Sequence, residues 1–196
     1  IHKSKGLEFP VVIVADIAKG FNQLDARGTF LLHKELGIGP RLVERSTVGR
    51  QMYDTLPYQA IGARIIAETK AEEMRVLYVA MTRAREKLIL TGTLAAAKWE
   101  KQAARYARSL DSRELALPDD MIREADSYLD WIAPAVARHT DGAPIREAAG
   151  VDWGEMLDTV EPAAHFNVNL ISAEAIQPRE EQEELDAALQ AVREGR

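Results

Sequence analysis

Two short apolar runs, one on each side of a long amphipathic stretch, constrain the fold of this chain more than any other feature. The first, Val11 to Ala15 within PVVIVAD, is continuous and β-branched. The second lies in EKLILTG, Glu86 to Gly92, with Lys87–Thr91 as its strand. Continuous runs bounded by turn residues fit strands buried on both faces of a parallel sheet. Between them, Asp54 or Thr55 can cap a helix, and Pro57 suits its first turn. Apolar residues then recur at Ile61, Ile65, Ile66, Ala67, Met74, Leu77, Val79 and Met81, which predicts a helix over 57–82. Strand, long crossover with a helix, strand is the pattern of a parallel α/β unit, so the expected fold class is α/β with helices flanking the sheet.

The remaining segments are less regular. Gly37, Gly39 and Pro40 punctuate residues 28–49, with short strands expected near Thr29–Leu32 and Arg41–Glu44. Past Gly92 the character becomes helical, first over 95–109. Pro118 and Asp119 then open a second helix that carries Ile122, Ala125, Leu129, Ile132 and Val136 on one face. Asp141 to Gly150 reads as a linker. His165 to Leu170 alternates like a strand, and an acidic helix is expected over 179–194, with EEQEE at 180–184 as its solvated first turn.

Charge divides the chain in two. Residues 1–100 hold 15 Lys/Arg against 11 Asp/Glu, and residues 101–196 hold 10 against 20, within a net charge of −6. A phosphate-facing region therefore belongs in the first half, although acidic surface also serves solubility alone. The absence of cysteine excludes disulfide scaffolds, thiolate zinc sites and cysteine nucleophiles. No apolar run approaches the roughly 18 residues of a membrane span. The chain opens on Ile1 rather than Met, and the expectation is a cytoplasmic piece of a longer protein.

Two motifs carry chemistry. HKSKGLEF, His2 to Phe9, places two lysines, a histidine and a glycine directly before a strand. Such a loop can bring backbone N–H groups and lysines to phosphates, and an ordinary solvated basic loop has the same composition. EEMRVLYVAMTRAREKLIL, Glu72 to Leu90, ends a helix in TRAR and turns into a strand. Arg83 and Arg85 at that junction either complement the helix dipole or hold a guanidinium at a cleft, where it can bond two phosphate oxygens at once.

Taken together and in this order, HKSKGLEFPVV and EEMRVLYVAMTRAREKL resemble motifs V and VI of superfamily-one DNA helicases of the UvrD/Rep/PcrA kind. TLPYQAI, the continuation KLILTGTL and, more weakly, SYLDWIAPAV at 127–136 resemble the AddA-type helicase–nuclease subunits of bacterial recombination complexes. The resemblance implies a RecA-like, P-loop NTPase-type fold, with ATP and Mg2+ bound between two such domains. Residues 1–94 would form the C-terminal part of the second, and 95–196 an acidic, mostly helical extension with α/β character toward a nuclease domain. It further implies that His2 and Lys3 lie near the DNA backbone, that Gly6 approaches the γ-phosphate and that Glu8 reaches the ribose. Arg83 would be the arginine finger, and thereby both catalytic and nucleotide-binding. The partners implied are single- or double-stranded DNA and an AddB-like nuclease subunit.

The chain has no GxxxxGK[ST] P-loop and no DExx-type motif, which that family carries in its first RecA-like domain. The expectation is one wall of an ATP site, with an exposed sheet edge and no ATP or Mg2+ bound by the chain alone. The competing class is a non-catalytic interaction module, a degenerate RecA-like fold whose acidic second half docks a partner such as the nuclease subunit, and a large exposed apolar patch would support it. Gln102 and Tyr106 match a nuclease QxxxY by chance, as an i,i+4 pair on an ordinary helix. His33, His139 and His165 are isolated in sequence, so no metal site is expected. Trp99, Trp131, Trp153 and Tyr78 are assigned to the core, and Glu73 and Arg75 to pairing on the helix surface or bracing of the TRAR motif.

Overall fold

The computed structural model describes residues 7–47, 49–110, 116–150 and 165–176. Strand β1 (Phe9–Val14) and strand β5 (Ala84–Leu90) pair in parallel, with Val11 opposite Lys87 and Val14 opposite Leu90. Their crossover contains β2 (Phe30–His33), β3 (Gly37–Ser46), β4 (Gly49–Asp54) and the helix α1 (Leu56–Met81). The α/β class and the parallel pair are as the two apolar runs imply. Burial on both faces is not: Val11 is 50% and Ile13 64% exposed. Among the described residues each of these strands has a single neighbour, so the sheet has an exposed edge and its outward side chains meet no second layer.

Strands β2, β3 and β4 form a separate antiparallel sheet. β4 is an addition to the sequence reading. Every one of its residues is exposed, and no burial pattern marked it. The sheet seats its other face on the start of α1, where Leu31, Tyr58 and Ile61 make a small core backed by Ile65. Gly39 allows this approach, since a Cβ there would come within 2.8 Å of the Tyr58 Cα.

Helix α1 matches its sequence signals closely. Thr55 caps it by accepting the Tyr58 N–H at 3.3 Å, Pro57 sits in the first turn, and Thr82 closes it. Helix α2 (Ala96–Leu110) also stands where expected.

The single helix expected from Asp119 is instead two, α3 (Asp119–Glu124) and α4 (Leu129–Ala137). Asp130 Oδ2 accepts the backbone N–H groups of Asp126 (2.8 Å) and Ser127 (3.0 Å), so these amides leave the helical ladder. The interrupted segment reaches back to the loop after β1, with Phe21 N–H donating to the Asp126 carbonyl (2.7 Å) and Leu129 N–H to Ile17 (2.8 Å).

Residues 141–150 are not a linker. They form a 3-10 turn (Thr140–Gly142) and helix α5 (Ala143–Ala149), ended by Gly150 at φ +63°. Ile145 joins Tyr106, Ala133 and Ala137 in the helical core, with Trp99 and Val168 against it. The segment His165–Leu170 is not a strand, and among the described residues it pairs with none. The helix expected over 179–194 and Trp153 lie outside the described residues. No helix among the described residues is long and apolar enough to cross a membrane.

Candidate functional site

The basic motif and the TRAR motif meet at the starting edge of the parallel pair. Thr82 Oγ1 donates back to the carbonyls of Tyr78 (2.9 Å) and Val79 (3.2 Å), which closes the last turn of α1. Arg83 follows in the turn, immediately before β5. Its carbonyl accepts the Phe9 N–H at 2.9 Å, and its Nη1 donates to the Leu7 carbonyl at 3.2 Å. Its Nε is buried without a partner. Glu8 is exposed between the two residues that Arg83 holds.

The structure thus brings Arg83 and the Leu7–Phe9 segment together, with no ion pair between Glu8 and Arg83. His2, Lys3 and Gly6 lie outside the described residues. Arg85 is exposed and pairs with Glu86 at 2.9 Å.

Of the side chains near this edge, Tyr78 differs from the sequence reading, while Arg75 pairs on the helix surface as read and Glu73 braces the helix. Tyr78 is 68% exposed rather than packed in the core, and stands with Met74 and Met81 on an open stripe of α1. Arg75 pairs with Glu72 at 2.8 Å, whereas Glu73 accepts a short hydrogen bond from the Tyr128 hydroxyl. Burial and that bond together push the Tyr128 hydroxyl pKa well up. Lys70 adds a second tie, donating to the Arg123 carbonyl at 2.7 Å beside Asp126 at 3.4 Å. The helix that delivers Arg83 is therefore anchored to α3 and α4. Leu77 completes this anchor in a core with Ala125 and Trp131, edged by Phe21 and Tyr128.

Gln102 and Tyr106 are not a pair on an ordinary helix face. Both are buried, and Gln102 donates to Asp130 Oδ1 at 2.6 Å, where Arg105 Nη1 also stands at 3.3 Å. Burial pushes the Asp130 carboxyl up, but the bonds from Gln102 and the Asp126 amide, with Arg105 and Ser127, outweigh it and hold the pKa below the ordinary value. Burial, then the Asp130 charge, pushes the Tyr106 pKa up to about 12. Sequence reasoning missed Asp130. The available signal was Ser127-x-x-Asp130, a reciprocal helix-start pattern.

The histidines are not isolated in space. His33 pairs with Glu68 at 3.3 Å and accepts two backbone N–H groups at Nδ1. His139 and His165 both face Asp141, at 3.5 and 3.4 Å. Among the described residues no group of three or more His, Asp or Glu side chains is placed to hold a metal ion.

Helix α1 thus hands Arg83, just past its Thr82 cap, to the Leu7–Phe9 segment at one end of the parallel pair. Residues 1–94 match the UvrD-like helicase C-terminal domain, and this part of the chain belongs to that family. Its similarity reaches further along the chain. Relatives named as the AddA component of an ATP-dependent helicase/nuclease are 49% identical over 157 residues in Moorella thermoacetica (80% of this chain, 11% of the relative) and 41% over 168 residues in Clostridium novyi (86% and 13%). A third, from Bacillus mycoides, is 42% identical over 195 residues, which is 98% of this chain and 15% of the relative. The chain thus spans between 11% and 15% of the length of these three relatives.

Proposed function

We propose that residues 1–94 form part of the second RecA-like domain of an ATP-driven DNA helicase, and that 95–196 extend it toward a nuclease domain. Arg83 is the arginine finger of an ATP site whose phosphate cradle is supplied by a first RecA-like domain. Gly6 approaches the γ-phosphate, Glu8 the ribose, and His2 with Lys3 the DNA backbone. The setting is the cytoplasm, in double-strand-break repair, with Mg2+ accompanying ATP.

The observation that carries this reading is the junction of Arg83 with Leu7–Phe9. A guanidinium has five donors. Arg83 commits one Nη1 donor to Leu7, and its other Nη donors, unlike the buried Nε, remain for a phosphoryl group. ATP bound there would supply the phosphoryl transfer that drives translocation. The chain's own part is to hold Arg83 rigidly, through α1 and its ties to Tyr128 and Arg123, where charge develops.

In the intact parent protein, Arg83→Ala is expected to lower DNA-stimulated ATP hydrolysis by at least ~10²-fold, toward the range of arginine fingers. DNA binding without nucleotide should change little, because the affected contact is made in the transition state. Arg83→Lys should rescue little, since a point charge does not replace a two-pronged donor. Near-normal hydrolysis in Arg83→Ala would leave the arginine as a helix-end brace.

One observation favours a second role. Phe30, Leu32, Ile38 and Leu42 stand exposed on the outer face of the β2–β3–β4 sheet, a patch suited to docking a nuclease partner. Ile38→Asp should weaken assembly with that partner and spare ATP hydrolysis. Unchanged assembly would end this second reading.

A further inference from the structure

The β3–β4 hairpin carries a charge arrangement that the ATP-site reading does not use. Its register sets Arg45 directly opposite Arg50, and both are exposed. Like charges placed directly opposite in an antiparallel pair destabilise it. Among the described residues neither arginine has an acidic partner. Arg50 reaches only the Met52 sulfur, at 3.8 Å, and Arg45 reaches no side chain. The nearby acids do not relieve the pair. Asp54 is taken by Arg41 at 2.7 Å, and strand alternation sends Glu44 to the opposite face. The hairpin therefore tolerates an unneutralised pair of permanent cations next to its turn.

We infer that this end of the hairpin grips the sugar–phosphate backbone of DNA through Arg45 and Arg50. Guanidinium groups bond phosphate oxygens bidentately, and contacts of this kind position a protein on nucleic acid without reading sequence. The contact is remote from Arg83. β3 meets the first turn of α1, where Thr55 Oγ1 donates to the Pro40 carbonyl at 2.6 Å. Arg83 instead follows the last turn, and 26 residues at about 1.5 Å of rise make α1 about 39 Å long. The hairpin takes from the function proposed above only the premise that the polyanion is DNA.

The test is fluorescence anisotropy of this chain with labelled single-stranded and duplex oligonucleotides of unrelated sequences, titrated between about 50 and 200 mM salt. Arg45→Gln/Arg50→Gln should weaken binding to every sequence and lower the slope of log affinity against log salt by about one per arginine. Arg45→Glu gives Arg50 a cross-strand partner, so it should raise the melting temperature while weakening DNA binding at least as much. That opposition, a firmer hairpin and a poorer DNA contact, is not produced by arginines with a structural role. An unchanged salt slope in the double variant would overturn the inference. So would a wild-type chain that binds no oligonucleotide at low salt, or a double variant that melts below wild type. A variant effect on binding to polyglutamate but not to DNA would assign the pair to an acidic protein surface and overturn it as well. None of these outcomes bears on Arg83, whose test reads ATP hydrolysis.

Discussion

Tyr106 and Trp131, two large aromatics of the helical part, are buried, whereas Ile13, Ile38 and Leu42 on the two sheets stand open to solvent. The same chain treats equally apolar residues in opposite ways. In the helical part, α2, α4 and α5 close around Tyr106, and the buried Gln102 and Arg105 converge on Asp130, with Gln102 Oε1 and Arg105 Nε left without a partner. In the strand-rich part, each sheet has one face against α1 or its neighbours and one face uncovered. Burial is set by what lies opposite a residue, and apolar character alone does not secure it. The proposed partner contact belongs to an exposed sheet face and the proposed ATP site to the end of the parallel pair, and the helical part holds α1 through Lys70, Glu73 and Leu77.

The sharpest way to break this contrast is to open the closed half. Asp130→Ala removes the carboxylate shared by Gln102, Arg105 and two backbone amides, and leaves the buried Arg105 charge unpaired. Removing one member of such a buried pair costs about 3–5 kcal/mol. Urea unfolding followed by tryptophan fluorescence should register most of that loss, since Trp131 lies in the adjoining core. A loss below about 1 kcal/mol would place Asp130 among solvated surface acids, where median pair energies of that size belong.

The same carboxylate predicts an acid limit. Its folded pKa is depressed, so its stabilisation is present above the unfolded value of about 3.9 and is lost as pH falls through the lower folded value. Wild-type stability should decline below about pH 4, and Asp130→Asn should flatten that decline. Urea midpoints measured across this window check the difference.

For the open half, the prediction concerns a ligand. The chain contains no P-loop, and P-loop amides and lysine carry most contacts to a triphosphate. Titration of this chain with a fluorescent ATP analogue should not saturate in the low-micromolar range. Tight binding or turnover would mean that the chain builds a complete site.

How far the sequence could be read follows the same division. Helix α1 was legible because Thr55, Pro57 and the recurrence from Ile61 to Leu77 are local signals that agree with one another. The parallel pair was legible from its two short apolar runs, although their exposure was not, because exposure depends on neighbours that the runs do not name. The β4 strand was invisible: GRQMYD has no face to bury. The break between α3 and α4 was hidden by an unbroken apolar recurrence, since Asp130 interrupts the ladder through its side chain and leaves the pattern intact. Residues 141–150 looked like a linker for their Gly and Pro, yet Pro144 at a helix start is compatible with α5, and Ile145 supplies its anchor. At the candidate site, the motif order brought Arg83 and Glu8 to notice. The Leu7 bond to Arg83 is tertiary and has no sequence signal.

The smallest effect tests the contrast within a single strand. Leu31 and Leu32 are chemically identical neighbours on β2, yet Leu31 is 2% exposed and Leu32 61%. Strand alternation sends the first toward Tyr58 and Ile61 and the second to the outer face beside Ile38. Leu31→Ala leaves a cavity against α1, and should cost about 2–5 kcal/mol. Leu32→Ser removes almost no buried contact, and should stay within about 0.5 kcal/mol of wild type. It should also lower self-association at high concentration, since the outer face loses apolar area. Urea unfolding of the two variants, with light scattering of the second, compares them directly. A cost near that of Leu31→Ala at Leu32 would mean that the outer face is already covered within this chain, and the proposed docking of a partner there would lose its surface.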